Sequence, residues 1–174
     1  MRHLNEMIER IRGPVKSRCL VQRKTRAAGR PGHGRGEQGM IRGIHHLGLT
    51  VRDVDASAAW YEEVLGFRRV GEFQAPGGAR RKVFLRHDGL QARLGLTQHR
   101  HGSQDAFDET RAGLDHLAFT VADHEELETW AARLADAAVV HSPVTAANSV
   151  PGAAVLVFRD PDNIQLELFA EPPS

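Results

Sequence analysis

In two short stretches of the chain, apolar residues alternate with small or polar ones with a period of two, in the same order each time. Ile44-His45-His46-Leu47-Gly48-Leu49-Thr50-Val51 is followed 70 positions later by Leu114-Asp115-His116-Leu117-Ala118-Phe119-Thr120-Val121. This alternation predicts a strand with one packed face. Leu47, Leu49 and Val51 point one way in the first copy, as do Leu117, Phe119 and Val121 in the second. The opposite faces carry His46, Gly48 and Thr50, and His116, Ala118 and Thr120. One face is built to pack; the other is cleared of bulk around a histidine. Alternation also turns His45 away from His46.

Each strand is followed by helical periodicity. Asp53 is placed to cap a helix running to about Leu65, with Gly66 as its stop and Val54, Ala58, Tyr61 and Leu65 as its packing stripe. Phe67–Phe73 reads as a strand and Ala75-Pro76-Gly77-Gly78 as a loop. Lys82–His87 and Gln91–Thr97 read as strands joined around the hairpin signal Asp88-Gly89. Residues 99–113 are polar apart from Phe107 and read as a linker. The order then repeats. Asp123 caps a second helix with Glu126 in the capping-box position, and Leu127, Trp130, Leu134 and Ala138 form its stripe. Val139–Val144, Ala153–Arg159 and Ile164–Phe169 are its strands, with Asp160-Pro161-Asp162-Asn163 as a turn. The fold class is α+β, with module 1 at 43–98, the linker at 99–113 and module 2 at 114–170. A module this small covers one sheet face with its helix. The other face needs a second module, so the duplication itself predicts an enclosed cavity.

The 174 residues suffice for one domain or two small modules sharing a core. No apolar run approaches bilayer length, and no secretory signal is evident. Cys19 is the single cysteine, which excludes an intramolecular disulfide and a thiolate zinc cluster and fits the reducing cytoplasm. The net charge of +1 conceals a division: residues 1–39 hold 10 Lys and Arg against 3 Asp and Glu, residues 40–174 hold 13 against 19. The first segment is Arg- and Gly-rich and reads as largely disordered, with a short helix over Leu4–Ile11. A nucleic-acid arm, an organelle transit peptide and an upstream extension of the reading frame compete for it. The extension is preferred, because Met40 stands directly before the first strand and the rest of the chain is acidic. Nucleic acid is accordingly disfavoured as a partner, and a membrane is not expected.

His46 and His116 are candidate metal ligands, because neutral imidazole binds first-row divalent metals well. Glu167 is the third candidate. In Ile164-Gln165-Leu166-Glu167-Leu168 it lies on the face opposite the packing residues, where an uncompensated carboxylate is costly. Two His and one carboxylate with open positions suit iron(II), with Mn, Zn, Ni or Co as substitutes. The plainer readings are a solvated edge position for Glu167 and two histidines inherited from a common module without function.

These residues resemble the vicinal oxygen chelate superfamily, which includes glyoxalase I, extradiol dioxygenases, methylmalonyl-CoA epimerase, and the fosfomycin- and bleomycin-resistance proteins. The matching pieces are His46 through Asp53, Ser57 through Tyr61, Val64 through Phe67, Asp115 through Val121, and Asp160 through Leu168. The resemblance implies paired βαβββ modules forming an open, barrel-like sheet around a cavity. It further implies a divalent metal at His46, His116 and Glu167 and a small-molecule substrate bound through its oxygens. The superfamily closes its cavity within a chain or by exchanging modules across a dimer, and a homodimer is the expectation.

Glyoxalase-like and epimerase-like members use a fourth ligand, Glu or Gln, from the last strand of module 1. Here Gly95, or Leu94 after a one-residue slip, stands in that place, and neither can ligate or act as a base. A three-ligand site is what the dioxygenases and fosfomycin-type transferases of the superfamily would have, and dioxygenase-like chemistry is placed slightly ahead of lyase, isomerase or transferase chemistry. A metal-free, drug-sequestering protein is the alternative of a different class. A dioxygenase would use an acid or base near the metal, for which His141 is the first candidate, before His87 and His99. Arg86 and Arg159 hold equivalent strand ends and could meet an anionic substrate. Asn163 stands where family members usually have Gly, a change tolerated because Asn accepts positive φ.

Overall fold

The computed structural model describes residues 41–173. The expectations for the basic segment and its Leu4–Ile11 helix lie outside the described residues. Module 1 consists of β1 (His46–Thr50), α1 (Val54–Leu65), β2 (Arg68–Gln74), β3 (Arg80–Arg86) and β4 (Arg93–His99). Module 2 repeats the order with β5 (Leu117–Val121), α2 (His124–Asp136), β6 (Thr145–Ala146), β7 (Ala154–Arg159) and β8 (Gln165–Ala170). Each module forms its own four-stranded sheet, ordered β1-β4-β3-β2 and β5-β8-β7-β6, and the two sheets are not joined into a barrel. In both, the first strand runs parallel to the last while the other pairs are antiparallel.

The helices begin where the sequence places them. The Asp53 carboxylate accepts the N–H groups of Asp55 and Ala56, and Gly66 ends α1 with φ 73°, a left-handed conformation in which a side chain is costly. At α2, Asp123 accepts the Glu126 N–H at 2.9 Å, while the Glu126 carboxylate reaches back to the N–H of Ala122 at 2.6 Å. This end of the helix is capped reciprocally. The other end departs from expectation. Ala138 lies beyond the helix, exposed, with φ 55°, holding the left-handed turn without a glycine.

Two strand expectations also shift. The connection around Asp88-Gly89 takes up residues 87–92 rather than a two-residue turn, and the His87 ring accepts the Gly89 N–H at 3.1 Å. The strand expected over Val139–Val144 is reduced to an isolated bridge at His141, with β6 beginning only at Thr145. Pro143 has no N–H to give a ladder, and the Ser142 hydroxyl takes the Val157 N–H at 3.0 Å in place of a backbone carbonyl.

One core runs through both modules. Val54, Ala58, Tyr61 and Leu65 of α1 are buried in it with Val83, Leu85, Leu94 and Leu96, and Leu127 and Leu134 of α2 with Leu156, Phe158, Leu166 and Leu168. Aromatic pairs cross the junction, Phe67 with Phe119 at 6.0 Å and Trp60 with Phe158 at 6.3 Å between ring centroids. Polar bonds cross it too. Asp162 accepts the Arg52 N–H at 2.8 Å, Arg52 Nε at 2.9 Å and the Ser57 hydroxyl at 2.8 Å. The buried Tyr61 hydroxyl donates to Asp160 at 3.0 Å. The turn expected at 160–163 is therefore also the seat of α1, and Asn163 takes φ 71° within it.

Burial pushes the Asp160 carboxyl from an ordinary 3.8 up to about 6, against the opposing hydrogen bonds from the Ile164 N–H and the Tyr61 hydroxyl. A raised folded pKa means that the folded state keeps a proton the unfolded chain has lost. The associated stability is fully present below about pH 4, is lost as pH rises to about 6, and is flat beyond. Asp160→Asn keeps the acceptor oxygen without the charge. Urea unfolding from pH 4 to 7 should show a fall of up to about 3 kcal/mol in the wild type that the variant lacks. Parallel pH curves for the two proteins would contradict this assignment.

Candidate metal centre

The pairing register sorts each sheet into a helix-covered face and an open one. In module 1, His46, Gly48 and Thr50 stand beside Arg93, Gly95 and Thr97 on the open face. In module 2, Ala118 stands beside Glu167 and Thr120 beside Phe169. Gly48 pairs with Gly95 as Ala118 pairs with Glu167, so Gly95 is the counterpart of Glu167 and the slip to Leu94 does not occur. A Cβ on Gly95 would meet the Leu47 carbonyl at 3.6 Å and the Lys82 stem at 3.7 and 3.8 Å.

His116 lies just before β5. Its Nδ1 is 2.6 Å from an Asp115 carboxylate oxygen, and its Nε2 is 3.7 Å from Glu167 Oε2. With Nδ1 donating to Asp115, Nε2 is left with its lone pair directed towards Glu167. Glu167, its side chain 17% exposed, receives the Gln165 amide on its other oxygen at 3.1 Å. Two donor atoms each about 2.1 Å from one ion stand about 3 Å apart or somewhat more, so this pair suits a shared divalent cation. His46 is exposed on the open face of the other sheet, with its Nδ1 2.9 Å from His45 Nδ1. The expected alternation between these two histidines fails because His45 precedes the first residue of β1. Among the described residues, no group of three His, Cys, Asp or Glu side chains is gathered to hold a metal ion within the chain. His116 and Glu167 are brought together; His46 is not brought to them.

His141 bridges to Phe158, which pairs with Leu166, and its Nδ1 lies 2.7 Å from the Ser142 carbonyl. Partners across a ladder share a face, so His141 belongs to the buried side and Glu167 to the other. His87 packs its ring on Phe67 at 5.3 Å. His99 lines a surface depression of about 380 Å³ with Gly77, Ala79 and Arg100, away from the three candidate ligands. The equivalent arginines differ. Arg159 is held by Glu109 of the linker at 2.7 and 3.1 Å, whereas Arg86 is exposed at its strand end. The Glu109 carboxyl is held below its usual range, chiefly by the hydrogen bond from Arg159.

Two residues of this region are not evident from the sequence pattern. Asp115 sits in the repeat where the first copy has His45, and alternation turns it away from His116 until the chain is seen to enter the strand only at Leu117. Lys82 is, in sequence, one more cation at a strand start. Only the tertiary register shows its stem over Gly95.

Residues 43–168 match the profile of the Glyoxalase/Bleomycin resistance protein/Dioxygenase superfamily. A solved glyoxylase/bleomycin resistance protein/dioxygenase domain from Frankia sp. EAN1pec is 35% identical, with a TM-score of 0.68 over 76% of this chain and 99% of that one. The uncharacterized protein YwkD of Bacillus subtilis (strain 168) is 26% identical over 132 residues, 76% of this chain and 99% of its own. The fosfomycin resistance protein FosX of Listeria monocytogenes, solved with Mn(II) and sulfate, shares the fold at 20% identity and a TM-score of 0.56, covering 75% of this chain and 93% of that one. With more than half of its length matched, the chain belongs to the Glyoxalase/Bleomycin resistance protein/Dioxygenase superfamily.

Proposed function

We propose that the protein is a divalent-metal enzyme acting on a small molecule through its oxygens, with dioxygenase-like chemistry favoured and iron(II) as the preferred ion. His116 and Glu167 would hold the metal together with His46 from a second copy of the chain. The observation that carries this reading is the Asp115–His116–Glu167 arrangement, in which one carboxylate fixes the imidazole tautomer and a second faces the nitrogen left free. When bound, a divalent ion supplies Lewis-acid stabilisation of developing negative charge, or oxygen activation if it is iron.

The residues around it bear on the reaction class. Gly95 offers neither a fourth ligand nor a base, which speaks against glyoxalase-type and epimerase-type proton transfer. We assign no step to His141, whose Nδ1 is engaged with a backbone carbonyl. A homodimer is supported by the uncovered sheet faces: Phe73 is 45% and Val70 51% exposed on module 1, and module 2 leaves Val155, Val157 and Phe169 partly uncovered. A metal-free, ligand-sequestering protein is the second reading, favoured by the convergence of only two of the candidate donors among the described residues.

Complementation tests the shared site. His46→Ala and Glu167→Ala should each bind metal poorly alone. Mixed and reassociated, they should regain binding, because one of the two sites in a mixed dimer receives His46 from one copy and Glu167 from the other. A site completed within one chain would regain nothing.

A further inference from the structure

The open face of the module 1 sheet falls into three rows across its strands. His46 and Arg93 begin the first row, with Arg86 and Arg68 side by side at the same end of β3 and β2. Gly48, Gly95, Phe84 and Gly71 form the second. Thr50, Thr97, Lys82 and Phe73 form the third. The middle row is a floor of small residues, bare at Gly48, where a Cβ would meet nothing within 4 Å, and crossed at Gly95 by the Lys82 stem, with the Phe84 ring standing between Gly95 and Gly71.

The charges on this face are of one sign. Lys82, Arg86 and Arg93 have no ion-pair partner among the described residues. The Lys82 ammonium instead lies 5.5 Å from the centre of the Phe84 ring. Carboxylates are available in this module but serve elsewhere: Asp55 and Glu72 hold Arg69 and Arg81 on the helix side. Asp88 is taken by Arg68. Lys82 and Arg86 stand on either side of Phe84 along one face of β3, and cations on one face without counter-charges favour an anion settling among them.

We infer that this floor binds the carboxylate of an aromatic acid, with the ring against Phe84 and the charge met by Lys82 and Arg86. Lys82 is the specificity-determining residue, since its stem crosses the place of the missing fourth ligand. The inference rests on the proposed function in that the floor adjoins His46, one of its proposed ligands.

The test uses the full-length protein treated with a chelator, and calorimetric titration with benzoate and with benzyl alcohol, its neutral counterpart. Benzoate should bind about tenfold or more tightly than the alcohol, the size of one charge-assisted hydrogen bond. Lys82→Met, which keeps the stem, and the exposed Arg86→Gln should each weaken benzoate about tenfold and leave benzyl alcohol unchanged. Equal binding of the two probes, or benzoate binding unmoved in both variants, overturns the inference. Mn(II) titration of the same proteins judges the metal site separately. Absent metal uptake with intact benzoate selectivity defeats only the metal reading; the reverse defeats only this one.

Discussion

Glu167→Ala should lower divalent-metal affinity by at least about 100-fold, beyond what loss of a supporting hydrogen bond usually costs. Asp115→Ala should lower it less, by about tenfold, because the imidazole ligand remains and only its orientation and tautomer are released. The gradation follows from the geometry: Glu167 faces His116 Nε2 at 3.7 Å, while Asp115 touches the far nitrogen at 2.6 Å. Metal content of the purified proteins, with a competition titration for affinity, checks both. Full occupancy in Glu167→Ala would remove Glu167 from the site, and equal losses in the two variants would show that Asp115 is more than a support. His46→Ala should match Glu167→Ala if the imidazole from the other module is a true ligand.

Asp162→Ala should destabilise the fold by about 2 kcal/mol, the cost of leaving buried donors without their acceptor. The ion pair itself adds little, because the Arg52 side chain is 39% exposed. Asp162 is 5% exposed and joins Arg52 to the hydroxyl of Ser57, itself 1% exposed. Its loss leaves that hydroxyl buried without an acceptor and removes one polar tie between α1 and the turn before β8, leaving that of Tyr61 to Asp160. Asp162→Asn retains one acceptor oxygen and should cost less. Guanidinium unfolding of the three proteins decides the matter, and a loss below about 1 kcal/mol in the alanine variant would mean that the apolar contacts and the Tyr61–Asp160 bond carry the junction without Asp162.

What can be read from the sequence follows from the range of the interactions involved. Helix starts and stops are local, so Asp53, Gly66 and Asp123 can be placed from composition and spacing. The faces of β1, β5 and β8 follow from alternation, which is why Gly95 can be offered as the counterpart of Glu167 from sequence, while the slip to Leu94 is closed only by the register. Interactions between distant elements are not legible in this way. The role of 160–163 depends on which helix packs above it, and the position of Lys82 depends on a neighbouring strand without a side chain at Gly95. Alternation itself misleads at the strand entrances, where His45 and Asp115 precede regular geometry and turn towards the histidines next to them. The separation of His46 from His116 and Glu167 is equally hidden, because a repeat in sequence does not say which copies face each other.

The break at Pro143 has a consequence for solubility. Had residues 139–144 formed a full strand, the outer border of the second sheet would offer a row of free N–H and C=O groups flanked by valines, a template for adding a strand from another molecule. The proline, the hydroxyl of Ser142 and a border strand of only two residues, Thr145–Ala146, deny that template its length. The first sheet defends its border differently, with a bulge at Val70 between Arg69 and Gly71 that disturbs the spacing a docking strand would need. Each half of the duplicated fold thus interrupts one of its two sheet borders by its own means.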